Sequence, residues 1–298
     1  MASEHLSGQQ RDGQQRDRQR RAAERTGAHP PPPAPEPLAV PVPDSHTHLD
    51  LVGGDPAVQV EAAGAVGVDR LVQVGVDVDS SRWAVALAES VPSVVATVGL
   101  HPNDAPRRAD LDEALRAVED LAGHPRVRGV GETGLDTFRT GPEGRKAQET
   151  SFRAHIAIAK RHRAALVIHD RDAHADVLRV LDEEGAPDTV VMHCFSGDRE
   201  FAAECARRGF LLSFSGTVTF RNAEPLREAA RACPTHQMMV ETDAPYLAPT
   251  PYRGRPNAPY LIPLTVRGLA AATGTDLDEL CAALSATAER AFGPWQAG

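Results

Sequence analysis

Two histidines separated by a single residue, His46 and His48, follow an apolar stretch that ends at Val42. On a β-strand, residues i and i+2 project from the same face, so the two imidazole rings would lie side by side. Neighbouring imidazole nitrogens are common ligands of metal ions. The pattern alone fits two surface histidines equally well, so its meaning depends on whether other strand ends supply the missing ligands.

Eight short apolar runs alternate with helical stretches and would position such ligands. They are rich in Val, Leu and Ile and mostly do not alternate with polar residues, which is typical of parallel strands covered on both faces. Eight repeats predict an α/β protein with a (β/α)8 TIM barrel. An open doubly wound sheet is the alternative, but no G-x-G-x-x-G motif follows the first run. The runs are Val40–His46, Arg70–Val74, Val94–Leu100, Val127–Glu132, Leu166–His169, Val190–Cys194, Phe210–Phe214 and Met238–Glu241.

The stretches between these runs carry helix signals. Asp110 and Glu113 form a capping-box pattern at the start of one helix, and Gly123 ends it. A second helix is predicted from Asp172 to Glu184. Two further histidines, His155 and His162, fall within the helix after the fourth strand, and we expect both on its surface.

The chain divides into an N-terminal tail, residues 1–37, and a barrel domain, residues 38–298. The tail is rich in Gln and Arg and then in Pro, and it contains six arginines and five acidic residues. Because it has too few apolar side chains to offset the entropy of ordering, we expect it to be disordered and dispensable for folding. A weak nucleic-acid tether is an alternative role for its arginines.

Composition narrows the class of protein. The formal net charge of −9 argues against a broad basic surface for nucleic acid, although bound metal ions would still permit a local phosphate site. We find neither an apolar run of membrane-spanning length nor the apolar core of a signal peptide. The four cysteines contain no C-x-x-C, which indicates reduced thiols. The expectation is a cytoplasmic protein without a membrane partner, and a monomer is assumed.

Polar residues with ligand chemistry end five of the eight strands. Each alone has an ordinary structural role as a helix cap or a core histidine, but five independent strand ends indicate a metal centre at the active-site end of a barrel. Four histidines and two carboxylates exceed a single tetrahedral site, which predicts two divalent ions (Mg, Mn or Zn). Glu132 is the candidate bridge, and Asp243 would reach the water between the ions. The six residues are His46, His48, Glu132, His169, His193 and Asp243.

From about Val42 to the C-terminus the chain resembles the TatD family of metal-dependent deoxyribonucleases, which are amidohydrolase-like TIM barrels. The resemblance lies in seven stretches that occur in the family's order. They are Asp44–Asp50, Val98–Pro102, Gly131–Asp136, His169–Ala173, His193–Gly197, Glu241–Leu247 and Arg253–Pro259.

The resemblance implies roles for individual residues. One ion would be held by His46, His48, Glu132 and Asp243, and the other by Glu132, His169 and His193. The substrate pocket would include His101, Arg253, Arg255 and Asn257. Arg139, in the loop after the fourth strand, is a further candidate for phosphate. The chain departs from the family at Thr137, where an aromatic residue is common, and at Asn257-Ala258-Pro259 in place of Asn-Glu-Pro; both differences bear on substrate positioning.

The expected activity is metal-dependent hydrolysis of DNA phosphodiesters, as a 3′-5′ exonuclease on single-stranded ends. Water activated between the two ions would attack, with Asp243 as the base and Glu132 as the bridge. Two alternatives remain. One is a hydrolase of a small amide, lactone or phosphoester, because related barrels use the same set of ligands. The other is a metal-binding module without turnover.

Overall fold

Eight parallel strands form the centre of the protein in the computed structural model, which describes residues 30–295. Each strand pairs with its neighbours in chain order, and a parallel bridge between Thr47 and Ala244 joins the last segment to the first. The predicted barrel is therefore confirmed, and the open sheet is excluded. The strands are β1 (Val42–Thr47), β2 (Val68–Val74), β3 (Val94–Val98), β4 (Val127–Asp136), β5 (Ala165–Arg171), β6 (Val190–Met192), β7 (Leu211–Phe214) and β8 (Met238–Val240).

Helices connect successive strands and cover the outside of the barrel. In the described range they are α1 (Leu49–Val52), α2 (Pro56–Gly64), α3 (Val78–Ser90), α4 (Leu111–Ala122), α5 (Arg145–His162), α6 (His174–Glu184), α7 (Arg199–Arg207), α8 (Glu224–Ala232), α9 (Ile262–Thr273) and α10 (Leu277–Phe292). Within residues 30–295, no helix combines the length and apolar character that a membrane span requires.

The core has two layers that follow from strand alternation. Outward residues such as Leu166 and Ile168 pack under the helices, whereas inward residues such as Val167 fill the barrel. Phe292 and Trp295 belong to the same inner cluster as Val167, and the Trp295 indole N–H donates to the carbonyl of Leu71. Phe292 and Trp295 thus close the N-terminal mouth of the barrel, and the opposite mouth stays available for chemistry.

Strand β4 continues four residues beyond the predicted end at Glu132. Thr133 to Asp136 pair with Ile168 to Arg171 of β5. Two glycines permit this close pairing, because a Cβ on Gly131 would lie 2.3 Å from the Val167 carbonyl and one on Gly134 would lie 2.1 Å from the His169 carbonyl. Glycines in a sequence suggest a break in a strand, but here they allow two backbones to approach closely.

The capping box predicted at the start of α4 does not form. Asp110 occupies the N-cap position, but its side chain makes no capping hydrogen bond. Its Oδ2 instead accepts a hydrogen bond from the Arg108 guanidinium at 2.8 Å. The sequence spacing assigned the Asp110 carboxylate to the helix N-terminus, but this carboxylate is paired with Arg108 instead.

His155 is buried, in contrast to the expected surface position. Its Nε2 accepts the N–H of Leu100 at 2.9 Å, and its Nδ1 lies 2.7 Å from the Ser151 carbonyl. The ring therefore fixes the segment that leads from β3 to His101. Burial lowers the pKa of His155 from 6.5 to about 4.

We expect His155 to make the protein sensitive to acid. The folded state holds a neutral ring, whereas the unfolded chain takes up a proton near pH 6.5, so this stability is complete above pH 6.5 and is lost as the pH falls toward 4. The loss should amount to about 3 kcal/mol of unfolding free energy. Chemical denaturation of the wild type and His155→Gln between pH 4 and 7 measures it. The wild type should lose that much more stability than the variant. His162→Gln, on the same helix, is the control, and parallel pH dependence of all three proteins would contradict the assignment.

The segment before the first strand is only partly as predicted. Residues 1–29 and 296–298 lie outside the described residues, so the prediction of a disordered tail stays a prediction there. Pro30–Pro37 instead lies against the barrel, and Pro32 is buried. The Arg255 guanidinium donates to the carbonyls of Pro30 and Pro31, the Tyr260 hydroxyl donates to Pro32, and Arg267 donates to Pro37. Prolines lack an N–H but keep a carbonyl, and these carbonyls hold the segment in place.

Two truncations should therefore differ. Removal of residues 1–29 leaves every described contact in place and should not change stability. Removal of residues 1–37 deletes the acceptors of Arg255, Tyr260 and Arg267, and should lower the unfolding free energy by about 1–3 kcal/mol, since each net hydrogen bond contributes about 1 kcal/mol. Urea denaturation of the two proteins provides the measurement. Equal stability would show that the proline segment contributes nothing to the fold.

Candidate metal centre

The inward face of the barrel places the predicted ligands at one mouth. His169 lies two residues after the inward Val167, and His193 lies two residues after the inward Val191. Because side chains alternate along a strand, both histidines point into the barrel at the C-terminal ends of their strands. His46 and His48 come from β1 and its end, Glu132 from β4, and Asp243 from the loop after β8. The structure brings all six predicted ligands together.

Glu132 stands between two groups of histidines. Its Oε2 lies 3.5 Å from His46 Nε2 and 3.9 Å from His48 Nε2. Its Oε1 lies 2.8 Å from His169 Nδ1 and 3.4 Å from His193 Nε2. The side chain is only 4% exposed, so solvent does not screen these contacts. Each carboxylate oxygen thus faces a different half of the site, as a bridging ligand requires.

The first half has the dimensions of a four-ligand metal site. The Nε2 atoms of His46 and His48 are 3.3 Å apart, and Asp243 Oδ1 lies 3.5 Å from His48 and 4.0 Å from His46. Ligands at about 2.1 Å from a tetrahedral ion are separated by about 3.4 Å. The donors of this half, together with Glu132, therefore fit a divalent cation.

The second half contains one more histidine than predicted. His101 Nε2 lies 3.3 Å from Glu132 Oε1, the same oxygen that contacts His169 and His193. The ligand atoms of His101, Glu132 and His169 all lie within 4.8 Å of one another. The prediction placed His101 in the substrate pocket, whereas the geometry places it among the possible metal ligands. The stretch Gly99-Leu100-His101 follows β3, so its place after a strand was the available signal.

Two outer carboxylates contact the histidines from behind. Asp136 Oδ2 lies 3.3 Å from His169 Nε2 and accepts a hydrogen bond from Asn103 at 2.7 Å. Glu241 Oε1 lies 2.9 Å from His193 Nδ1, and Glu241 is fully buried. Carboxylates in this position orient a ligating imidazole. Glu241 was not among the predicted ligands. It lies two residues after Met239, so its side chain points into the barrel as that of Met239 does.

The electrostatics of the centre favour positive charge. Burial alone lowers the pKa of His48, but the hydrogen bond to Asp243 and the charges of Asp243 and Glu132 outweigh it and raise the pKa to about 9. Asp136 and Glu132 raise the pKa of His169 to about 9 in the same way, against the effect of burial. Burial raises the pKa of Glu132, but His101 and His193 reverse this and hold it well below its usual value.

Three buried atoms of the centre support the same conclusion. Among the described residues, His46 Nδ1, His193 Nδ1 and Glu241 Oε2 make no well-aligned hydrogen bond, although His193 Nδ1 lies 2.9 Å from Glu241 Oε1. Unpaired buried polar atoms are costly, and mutually facing imidazoles and carboxylates need a proton or a cation between them. The residues present fit divalent metal ions.

Cys194 adjoins the centre but is not suited to nucleophilic catalysis. Burial, together with the nearby charge of Glu241, raises the pKa of its thiol to about 12. The Sγ atom lies 3.4 Å from the Ser215 hydroxyl. Because the thiolate is the reactive form, this thiol stays unreactive near neutral pH. All four cysteines are free, as predicted from their spacing.

The predicted substrate residues differ in their surroundings. Arg139 and Arg253 are exposed, and the Arg253 guanidinium lies 4.5 Å from the Phe220 ring centroid. Arg255 is half-buried and donates to the proline segment, so its guanidinium is not free to bind phosphate while that contact holds.

Asn257 does not line the site as a polar substrate contact. It is buried, and its amide donates to the carbonyls of Thr242 and Tyr246 at 2.9 and 2.6 Å. Its backbone N–H donates to the Pro245 carbonyl. The side chain therefore fixes the loop that carries Asp243, and this positioning role replaces the predicted contact with substrate.

The known proteins that this chain resembles include metal-dependent hydrolases. A family model described as TatD-related DNase matches residues 43–293. An uncharacterized metal-dependent hydrolase named TatD from Mycobacterium tuberculosis is 47% identical over 260 residues, covering 84% of this chain and 97% of that protein. A protein named 3′-5′ ssDNA/RNA exonuclease TatD from Citrobacter rodentium is 37% identical, covering 78% and 90% respectively.

A solved structure agrees with these sequence matches. The crystal structure of a TatD homologue from Escherichia coli superimposes with a TM-score of 0.78 at 25% identity, covering 84% of this chain and 97% of that one. The match runs through every strand that supplies a ligand, so the chain belongs to the TatD family of metal-dependent hydrolases.

Proposed function

We propose that this protein is a two-metal phosphodiesterase that removes nucleotides from the 3′ end of single-stranded nucleic acid, DNA above all. The observation that carries the proposal is the division of the Glu132 carboxylate between two sets of ligands. Paired divalent ions suit phosphoryl transfer because one site can stabilise both the attacking and the leaving oxygen. The Citrobacter relative that is named an exonuclease supports nucleic acid as the substrate.

In this proposal one ion would be held by His46, His48, Glu132 and Asp243. The other would be held by Glu132, His169 and His193, and His101 lies within reach of the same Glu132 oxygen. Bound divalent ions supply Lewis acidity, which lowers the pKa of water and polarises a phosphoryl oxygen.

Side chains of the protein would supply the proton acceptor, the orientation of the histidine rings and the attraction of the phosphate backbone. Asp243 accepts the proton of the attacking water, since its side chain is 16% exposed while Glu132 is only 4% exposed. Asp136 and Glu241 fix the rings of His169 and His193. Arg139 and Arg253, exposed on the loops that follow β4 and β8, would attract the phosphate backbone.

A turnover assay tests this function. The metal-loaded protein should shorten a 5′-labelled single-stranded oligodeoxynucleotide one nucleotide at a time, and an excess of chelator should stop the reaction until divalent ions are added back. Products of internal cleavage would contradict the exonuclease mode. Turnover of a small phosphodiester, amide or lactone without turnover of any oligonucleotide would instead favour a small-molecule hydrolase.

A further inference from the structure

A single exposed aromatic ring marks the loop after β4. Phe138 is 63% exposed, and the other phenylalanines in the described range are buried or half-buried. A single exposed apolar side chain is common, but this ring stands beside the candidate metal centre, where a ligand of that centre can reach it.

Arg171 completes the surface formed by this ring. Its guanidinium carbon lies 4.0 Å from the Phe138 ring centroid. Many arginines on the outer helices pair with carboxylates, as Arg153 does with Glu149 and Glu183. Within residues 30–295 no carboxylate lies within ion-pair distance of Arg171 or of the adjacent Arg139. Unneutralised guanidinium groups next to an open ring suit a ligand with both a planar base and a phosphate.

The backbone around Phe138 holds the ring in place. The Thr137 N–H donates to the Arg171 carbonyl at 3.0 Å, and the Thr137 hydroxyl donates to the Asp172 carbonyl at 2.7 Å. The N–H of Arg139 donates to Asp136 Oδ1 at 2.7 Å. Asp136 contacts His169, so the loop that carries the ring is joined directly to the metal centre. Phe138 is two residues from Asp136, a backbone distance of at most about 7 Å.

We infer that Phe138 and Arg171 form a subsite for one unpaired nucleobase of the substrate, next to the phosphodiester that is cut. The base stacks on the open face of Phe138, while Arg171, and Arg139 next to Phe138 in the chain, face the phosphate. This inference rests on the proposed function. It gives a reason for single-strand selectivity, because a base inside a duplex is already stacked on its neighbours and is not free to stack on the ring.

The test compares two substrates in the metal-loaded full-length protein. One is a single-stranded oligodeoxynucleotide, and the other has an abasic residue at its 3′ end and at the next position. Loss of base–aromatic stacking should raise KM, so Phe138→Leu should lower kcat/KM on the normal strand about 5- to 150-fold. The same substitution should leave the abasic substrate unaffected. Phe138→Trp, which keeps a stacking face, should retain activity on the normal strand.

Binding provides a second measurement. The 3′ terminal base can be replaced by 2-aminopurine, whose fluorescence falls on stacking, in a strand whose terminal linkages are phosphorothioates to slow cleavage. The wild type and Phe138→Trp should quench this signal, and Phe138→Leu should not. Equal loss on normal and abasic substrates, or unchanged quenching in Phe138→Leu, would overturn the subsite while leaving the nuclease function intact. Absence of turnover on every oligonucleotide by the wild type would overturn the proposed function, and the subsite with it.

Discussion

Glu132→Gln should lose bound metal and reduce turnover at least about 1,000-fold. The amide keeps one oxygen but replaces the other with an NH₂ group, so only one half of the site retains a ligand at this position. It also removes the negative charge that compensates two cations in a centre where the side chain is 4% exposed. Lewis-acid stabilisation contributes several kcal/mol, and each 1.4 kcal/mol is about tenfold in rate.

Elemental analysis and turnover on single-stranded DNA should be measured on the same preparation. We expect the metal content to fall from two ions per chain to one or none. Glu200→Gln, an exposed glutamate on α7, is the matched control and should change neither quantity. Two retained ions with near-normal turnover would show that Glu132 is not the bridge.

Asp243→Asn should separate catalysis from metal binding. The second half of the site does not include Asp243, so the ion held by Glu132, His169 and His193 should remain. Asparagine keeps the size and one ligating oxygen but cannot accept a proton at neutral pH. General-base catalysis contributes about 10²–10⁴-fold, so turnover should fall at least about 100-fold while substrate binding is retained.

The backbone around Asp243 makes this variant interpretable. Asp243 has φ 53°, a left-handed conformation that asparagine also tolerates. Its N–H donates to the His46 carbonyl at 2.9 Å, a contact that the substitution leaves in place. A correct fold by circular dichroism is therefore expected. Loss of both ions would make Asp243 a structural ligand, and retained turnover would show that Asp243 is not the base.

The fold was predictable because the spacing of apolar residues along the chain indicates which side chains are buried. Apolar runs such as Val127–Val130 and Leu166–Ile168 are typical of strands that are covered on both faces. Eight such runs in alternation with helices are compatible with only a few architectures. Boundaries were less predictable, as the extension of β4 past Gly134 shows. Gly134 either ends β4 or allows another backbone to approach closely, and which of the two occurs depends on β5, which is distant in the sequence.

The gathering of the six candidate ligands at one mouth was also predictable, since each of them lies at or just beyond the end of an apolar run. Sequence position did not reveal what surrounds each side chain. His101 lies beside Glu132, His155 is buried, Asn257 binds backbone carbonyls, and Arg255 contacts the proline segment.

The sequence alone therefore determined the barrel and the chemical types gathered at its mouth, because periodicity and strand ends are local properties of the chain. Only the tertiary structure decided that one oxygen of Glu132 faces each group of histidines and that Phe138 stands open beside Arg171. Both arrangements are distances between atoms of different strands and loops. The closure of the barrel sets those distances, and no pattern within a single segment of the chain encodes them.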